Sequence, residues 1–462
     1  MRRVRAVRPG LPAPRFVVAA VSVLALLGLL GCTAAGPSSP AGTTGPLSIP
    51  SGSTASGGTT SVDPATDVEL AVRRLAAARA AAVAAQDKAA WLATVADPGS
   101  SFGAAQASLF DRLVALPVTG LTAGEITVTA PAFAATAPTA PTASHAVGPV
   151  SGDGWVANLQ LAYRFAGYDQ GDRTFRVSYA VMRTADGWRL AGPGAGRTDP
   201  QPFDLVDATS LRSPSTLVIG DVPTATLQTY LDLGDAARQR IEQAWGSARP
   251  GVLVAPRTTD ELQGQLGRGS IAGLEQVAAI TDGPLSAGAP APSDRVYLNP
   301  AAFARLSPAG RGVVVTHELT HVTVRATTTR PVPIWLSEGY ADQVAYAASG
   351  LSQATVAAEL FTRVRAGQVP DALPDVQAFD PARGALSPVY NEAWLAVVLL
   401  RDTYGATALN AFYRAIATSR PGDPSATAST DERTRTAFGD VLGVTQDAFV
   451  ADWRAYLVRL AG

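Results

Sequence analysis

Two of the chain's three histidines stand four residues apart in the run Thr316-His317-Glu318-Leu319-Thr320-His321. On a helix, positions i and i+4 lie one turn apart on the same face, so His317 and His321 can present two imidazole nitrogens to one divalent cation, and zinc suits such a pair. Glu318 projects away from the ligand pair, toward the place where a water activated by the cation would sit. A carboxylate there can take that water's proton. The competing reading is a polar patch on a solvated helix. Against it stand the apolar flanks Val313 to Val315 and Val322 to Val324, which argue for a buried helix whose polar side chains need partners.

A catalytic zinc ion ordinarily takes three protein ligands and keeps a fourth position open. A continuation with a glycine and a third histidine soon after His321 is excluded, because Val324 and Thr327 occupy those places. The next donors lie in Pro333-Ile334-Trp335-Leu336-Ser337-Glu338-Gly339-Tyr340-Ala341-Asp342, which opens a second helical pattern. Glu338 and Asp342 share a face of that helix at i and i+4. Glu338 is the candidate third ligand, and Asp342 is a candidate acceptor for the outer nitrogen of a metal-bound histidine. Alternatively, both are ordinary acids near a helix start, where the macrodipole favours carboxylates.

His317-Glu318-Leu319-Thr320-His321, followed by Trp335 to Asp342, resembles the gluzincin metallopeptidases, and specifically the small bacterial domains called peptidase MA-like, over about Leu211 to Leu460. The resemblance implies zinc ligation by His317, His321 and Glu338, with Glu318 as general base. It also implies that Asp342 orients the first histidine, since thermolysin-like members carry an aspartate at that offset. Tyr390, in Pro388-Val389-Tyr390-Asn391-Glu392, sits where related enzymes often place a phenol facing the zinc; packing at a helix entrance is the alternative. No Gly-Ala-Met-Glu-Asn exopeptidase motif is present, so an endopeptidase fits better than an aminopeptidase.

The elements that would carry this site come late in the chain. Met1 to Arg15 holds five arginines and no acid, and Phe16 to Leu30 is an uncharged apolar run of 15 residues, shorter than the roughly 20 a spanning helix needs. Residues 1–31 therefore read as a signal peptide. Leu29-Leu30-Gly31-Cys32 resembles the bacterial lipobox, which implies lipidation of Cys32 and an extracytoplasmic, membrane-anchored protein. Cys32 is the only cysteine, so no intramolecular disulfide and no cysteine-ligated zinc can form. Residues 32–66, rich in Gly, Pro, Ser and Thr, read as a disordered tether.

Beyond the tether the pattern is α+β. An Ala-rich helix over Asp67 to Ala96 and a second near Ala104 to Leu116 precede strands at Ala123 to Ala130, Gly154 to Phe165, Thr174 to Thr184 and Gly187 to Gly192. Helices followed by a curved antiparallel sheet resemble NTF2-like or cystatin-like domains, here over residues 67–197. Pro131 to Thr142 reads as a long loop, and His145 beyond it as a solvated loop residue. A break at Arg197 to Pro214 leads into the gluzincin-like unit, residues 211–462, expected as a mixed-sheet half, the zinc-binding helices and an all-α half. In it Arg295 to Leu298 is expected as the edge strand along which a peptide substrate adds. Helices are expected at Leu351 to Gly367, Glu392 to Tyr404, Asn410 to Ser419 and Gln446 to Leu460.

The net charge of −1 provides no footprint for nucleic acid. Among 37 basic residues only Lys88 is a lysine, which suggests a GC-rich genome such as an actinobacterium's. The sequence thus points to a lipid-anchored zinc endopeptidase. The alternative is a non-catalytic zinc-containing surface lipoprotein that serves as a binding or scaffold module.

Overall fold

The structure is a computed structural model and describes residues 63–130, 154–267, 277–284, 288–380, 383–419 and 427–462. The signal peptide, Cys32, almost all of the tether, the loop at Pro131 to Thr142 and His145 lie outside the described residues. The chain is α+β, with an antiparallel sheet, a mixed sheet and a helical C-terminal half.

The N-terminal helices are α1 (Pro64–Ala85), α2 (Lys88–Leu92) and α3 (Ser101–Ala115). The single helix expected over Asp67 to Ala96 is broken at Gln86, which takes a left-handed conformation, and Asp87 then caps α2 by accepting a hydrogen bond from Ala90 N. The first helix also begins at Pro64, inside the stretch read as tether. Strands β1 (Val118–Thr129), β2 (Trp155–Phe165), β3 (Arg173–Thr184) and β4 (Gly187–Pro193) form a sheet in sequential antiparallel order. Its inner face packs on α1 through Val68, Val72, Leu159 and Val177.

The second sheet contains β5 (Thr209–Arg212), β6 (Thr216–Gly220), β7 (Gly251–Ala255), β8 (Ala279–Asp282) and β9 (Arg295–Leu298), with α4 (Thr224–Trp245) crossing from β6 to β7 and α5 (Thr259–Gln265) after it. Strand order is β5-β6-β7-β9-β8, and β6, β7 and β9 are parallel neighbours. The expected edge strand, Arg295 to Leu298, is therefore an interior strand, flanked by β7 and β8. The hairpin partner β8 takes the edge instead. Which member of a hairpin lies outside depends on the parallel pairing of β9 with β7, a long-range contact with no local sequence signal.

Short α6 (Pro300–Ala304) leads into α7 (Pro308–Arg325). Ser307 caps α7 by accepting from Gly310 N at 3.1 Å, and Pro308 occupies its first turn, where a missing N–H costs nothing. From Val313 to Val324 every residue of α7 is buried, so this helix runs through the core. Helix α8 (Ile334–Tyr346) packs against it. The connection between them is fixed by Thr329 N and Arg330 N, which both donate to Ala417 O. Around them lie α9 (Gln353–Val356), α10 (Ala358–Arg365), α11 (Leu386–Ala417, interrupted at Gly405), α12 (Thr430–Leu442) and α13 (Gln446–Ala461).

Candidate metal centre

Helix α7 supplies His317, Glu318 and His321, and α8 supplies Glu338 and Asp342. The spacing expected from sequence is realised. His317 Nε2 lies 3.0 Å from His321 Nε2 and 3.2 Å from Glu338 Oε2, and His321 Nε2 lies 3.5 Å from the same oxygen. These three side chains form a buried cluster able to hold a metal ion. A four-coordinate first-row divalent ion, with ligand distances of about 2.0–2.2 Å, sets its donor atoms about 3.3–3.6 Å apart. The observed separations lie close to that spacing. Lone pairs aimed at one another at such range repel unless a proton or a cation stands between them.

The surrounding groups select the ligand form of His317. Its Nδ1 stands 2.8 Å from Asp342 Oδ1, and a carboxylate can only accept, so Nδ1–H donates outward and Nε2 keeps its lone pair for the centre. Burial works against a charged ring, yet the Asp342 and Glu338 carboxylates outweigh it and push the imidazolium up to about 10. A proton and a metal ion therefore compete for one Nε2 position. For Glu338, burial raises the carboxyl, but His321 and His317 more than offset it and hold the group below its ordinary range. No donor among the described residues reaches the other oxygen, Glu338 Oε1, although it is buried. An orphaned buried carboxylate oxygen beside two imidazoles is what a second coordination contact to a cation would satisfy.

Glu318 lies outside the three-donor cluster. Its Oε2 accepts from Thr281 Oγ1 at 2.5 Å, while Oε1 is buried with no donor from the described residues. Burial raises its carboxyl above the usual range, with the two imidazoles and Thr281 opposing the shift. The group is thus held at one oxygen and free to accept a proton at the other. Thr281, on β8, was not legible as a site residue. It comes 37 positions before Glu318 in a short apolar strand, and only the packing of β8 on α7 brings it there.

Tyr390, in the second turn of α11, is buried with its ring centroid 6.5 Å from that of His317 and 5.0 Å from Phe379. The structure therefore brings it beside the cluster. All the site groups are enclosed: His317 and Glu318 are 0% exposed, Glu338 1%, Asp342 4% and His321 5%.

The outer edge of β8 runs beside this centre. Asn299 N donates to Ala278 O across the hairpin, so in the antiparallel alternation the main-chain groups of Ala279 and Thr281 point away from β9. Among the described residues no strand pairs with that edge. Comparison of the chain with protein-family models and with curated proteins finds no match.

Proposed function

We propose that the chain is a zinc-dependent endopeptidase of the gluzincin type. The observation that supports it best is Glu318, a buried carboxylate beside a three-donor centre yet outside the ligand set, held at one oxygen and unpartnered at the other. A purely structural site has no use for such a group. When bound, zinc supplies a Lewis acid that polarises the scissile carbonyl and acidifies water. His317, His321 and Glu338 would hold it, with Asp342 fixing the His317 tautomer. Glu318 Oε1 takes a proton from the attacking water and passes it to the leaving amine, while Thr281 keeps the carboxylate from rotating. Tyr390 offers a phenol O–H to the developing oxyanion. A peptide adding along β8 would use the outward main-chain groups of Ala279 and Thr281, which replaces Arg295 to Leu298 as the docking edge.

In this reading the apolar run and Cys32 tether the enzyme by a lipid to the outer face of the cytoplasmic membrane, and its substrates are peptides or proteins there. Among the described residues no helix is long and apolar enough to cross a membrane. A second reading, a non-catalytic zinc centre in a scaffold protein, is favoured by the burial of every ligand, since structural sites are closed. The test is an unbiased peptide library incubated with the purified protein. Cleavage that stops with a chelator and returns with added zinc supports the enzyme; a zinc-loaded protein that cleaves nothing supports the scaffold.

A further inference from the structure

Sharing no residue with the metal centre, the N-terminal helices and the curved sheet line a partly open cavity of about 230 Å³. Val72 and Leu75 of α1, Leu109 and Leu113 of α3, and Leu159 and Val177 of the sheet make its walls apolar. The polar side chains in the lining are Arg79, Thr122, Tyr179, Thr198, Asp199 and Asp204, and Arg79 is the one cation. Arg79, 6% exposed, reaches the cavity from α1 with its guanidinium stacked on Trp91, Cζ standing 3.3 Å from the ring centroid. It donates to Thr94 Oγ1 at 3.1 Å and to Gln106 Oε1. The Tyr179 hydroxyl is a further hydrogen-bond partner; all three partners are neutral, and together they leave part of a five-donor fork unused.

No carboxylate among the described residues forms an ion pair with Arg79, although ion pairs are formed by arginines elsewhere in the same domain. The acids of the cavity are otherwise engaged. Asp199 pairs with Arg176 and Arg197, and the exposed Asp204 accepts from Gln201 N at 2.8 Å. Burial brings the Arg79 guanidinium down to about 10, with Tyr179 opposing, so the group is still charged at neutral pH. A buried charge compensated by aromatic faces and neutral hydrogen-bond partners, Tyr179 among them, and by no carboxylate is costly to keep for packing alone, and an apolar residue would fill the site at lower cost.

We propose that this cavity binds an amphiphilic monocarboxylate, whose apolar body fills the space between helices and sheet and whose single carboxylate pairs with Arg79. The chemistry follows from the lining: apolar walls select the body, and one planar cationic fork selects a planar anion.

The test uses the full chain and calorimetric titration with octanoate, 1-octanol and octyl phosphate. Octanoate is expected to bind at least tenfold more tightly than the alcohol of equal length, and hexanoate about 16-fold more weakly than octanoate, at about fourfold per methylene. In Arg79→Gln, which keeps amide donors but no charge, the preference for the acid over the alcohol should vanish. Leu113→Trp, which fills the cavity, should weaken all three ligands together. Equal binding of octanoate and octanol by the parent, binding of neither, or a preference that survives in folded Arg79→Gln would overturn the proposal. Tighter binding of octyl phosphate than of octanoate would overturn the carboxylate assignment. The parent comparisons decide the matter even if a variant fails to fold.

Discussion

His317 is gripped from both sides, by Asp342 at Nδ1 and by the centre at Nε2, and the two contacts predict different failures. Asp342→Ala removes the group that fixes the ring and its tautomer, so metal affinity should fall about 10- to 100-fold, read by competition with a chelating indicator. His321→Ala removes a ligand, and elemental analysis should find the metal gone. Thr281→Val keeps the volume but removes the donor to Glu318 Oε2. Metal content should be unchanged while kcat falls about 10- to 100-fold with little change in KM. A kcat equal to the parent's would show that the hydroxyl does not position Glu318. Helical spacing made His317 with His321 and Glu338 with Asp342 legible as pairs, and the resemblance to gluzincins implied that the two pairs meet, which the packing of α7 on α8 brings about. Thr281 was not legible, because a strand-to-helix contact leaves no periodic trace in the sequence.

At the scale of elements, the candidate metal ligands depend on how closely α8 approaches α11. Gly339 follows the candidate ligand Glu338, and a Cβ there would lie 2.3 Å from Ala393 O, a main-chain atom that cannot yield alone. Gly339→Ala should therefore cost about 1–3 kcal/mol in denaturant unfolding and weaken metal binding, because α8 must move away with Glu338. Parent-like stability and affinity would mean that the crossing is looser. The sequence showed α7 and α8 clearly, through apolar flanks and paired acids, but joined and divided other helices wrongly. Helix α11 runs through the gap expected between Tyr404 and Asn410 with one interruption at Gly405 (φ 87°). The expected helix over Leu351 to Gly367 splits at Ala357 into α9 and α10. Helix α12, opened by a capping box of Ser429 and Glu432, adds to the helices expected from sequence.

At the scale of the molecule, the two sheets share a core: Tyr163, Phe165 and Phe175 of the first cluster with Val252, Val254 and Tyr297 of the second. Across this junction Arg295, 0% exposed, donates to both oxygens of Asp169 at 2.6 and 2.8 Å. Arg295→Met should cost about 3–5 kcal/mol by stranding a buried carboxylate, and adding Asp169→Leu should recover part of it in equilibrium unfolding. A single variant as stable as the parent would show that the pair does not hold the units together. Such a junction escapes sequence reading because each half looks like an ordinary surface charge. The proposed lipid anchor is tested separately: Cys32→Ser should abolish partition of the protein with membranes, and a variant still processed and membrane-bound would exclude lipidation. Peptide hydrolysis at this centre with Glu318 as base is tested most directly by Glu318→Gln at full metal loading. Unchanged zinc content and loss of nearly all library cleavage are expected, because an amide cannot accept the proton. Cleavage at the parent rate with zinc retained would contradict that role for Glu318.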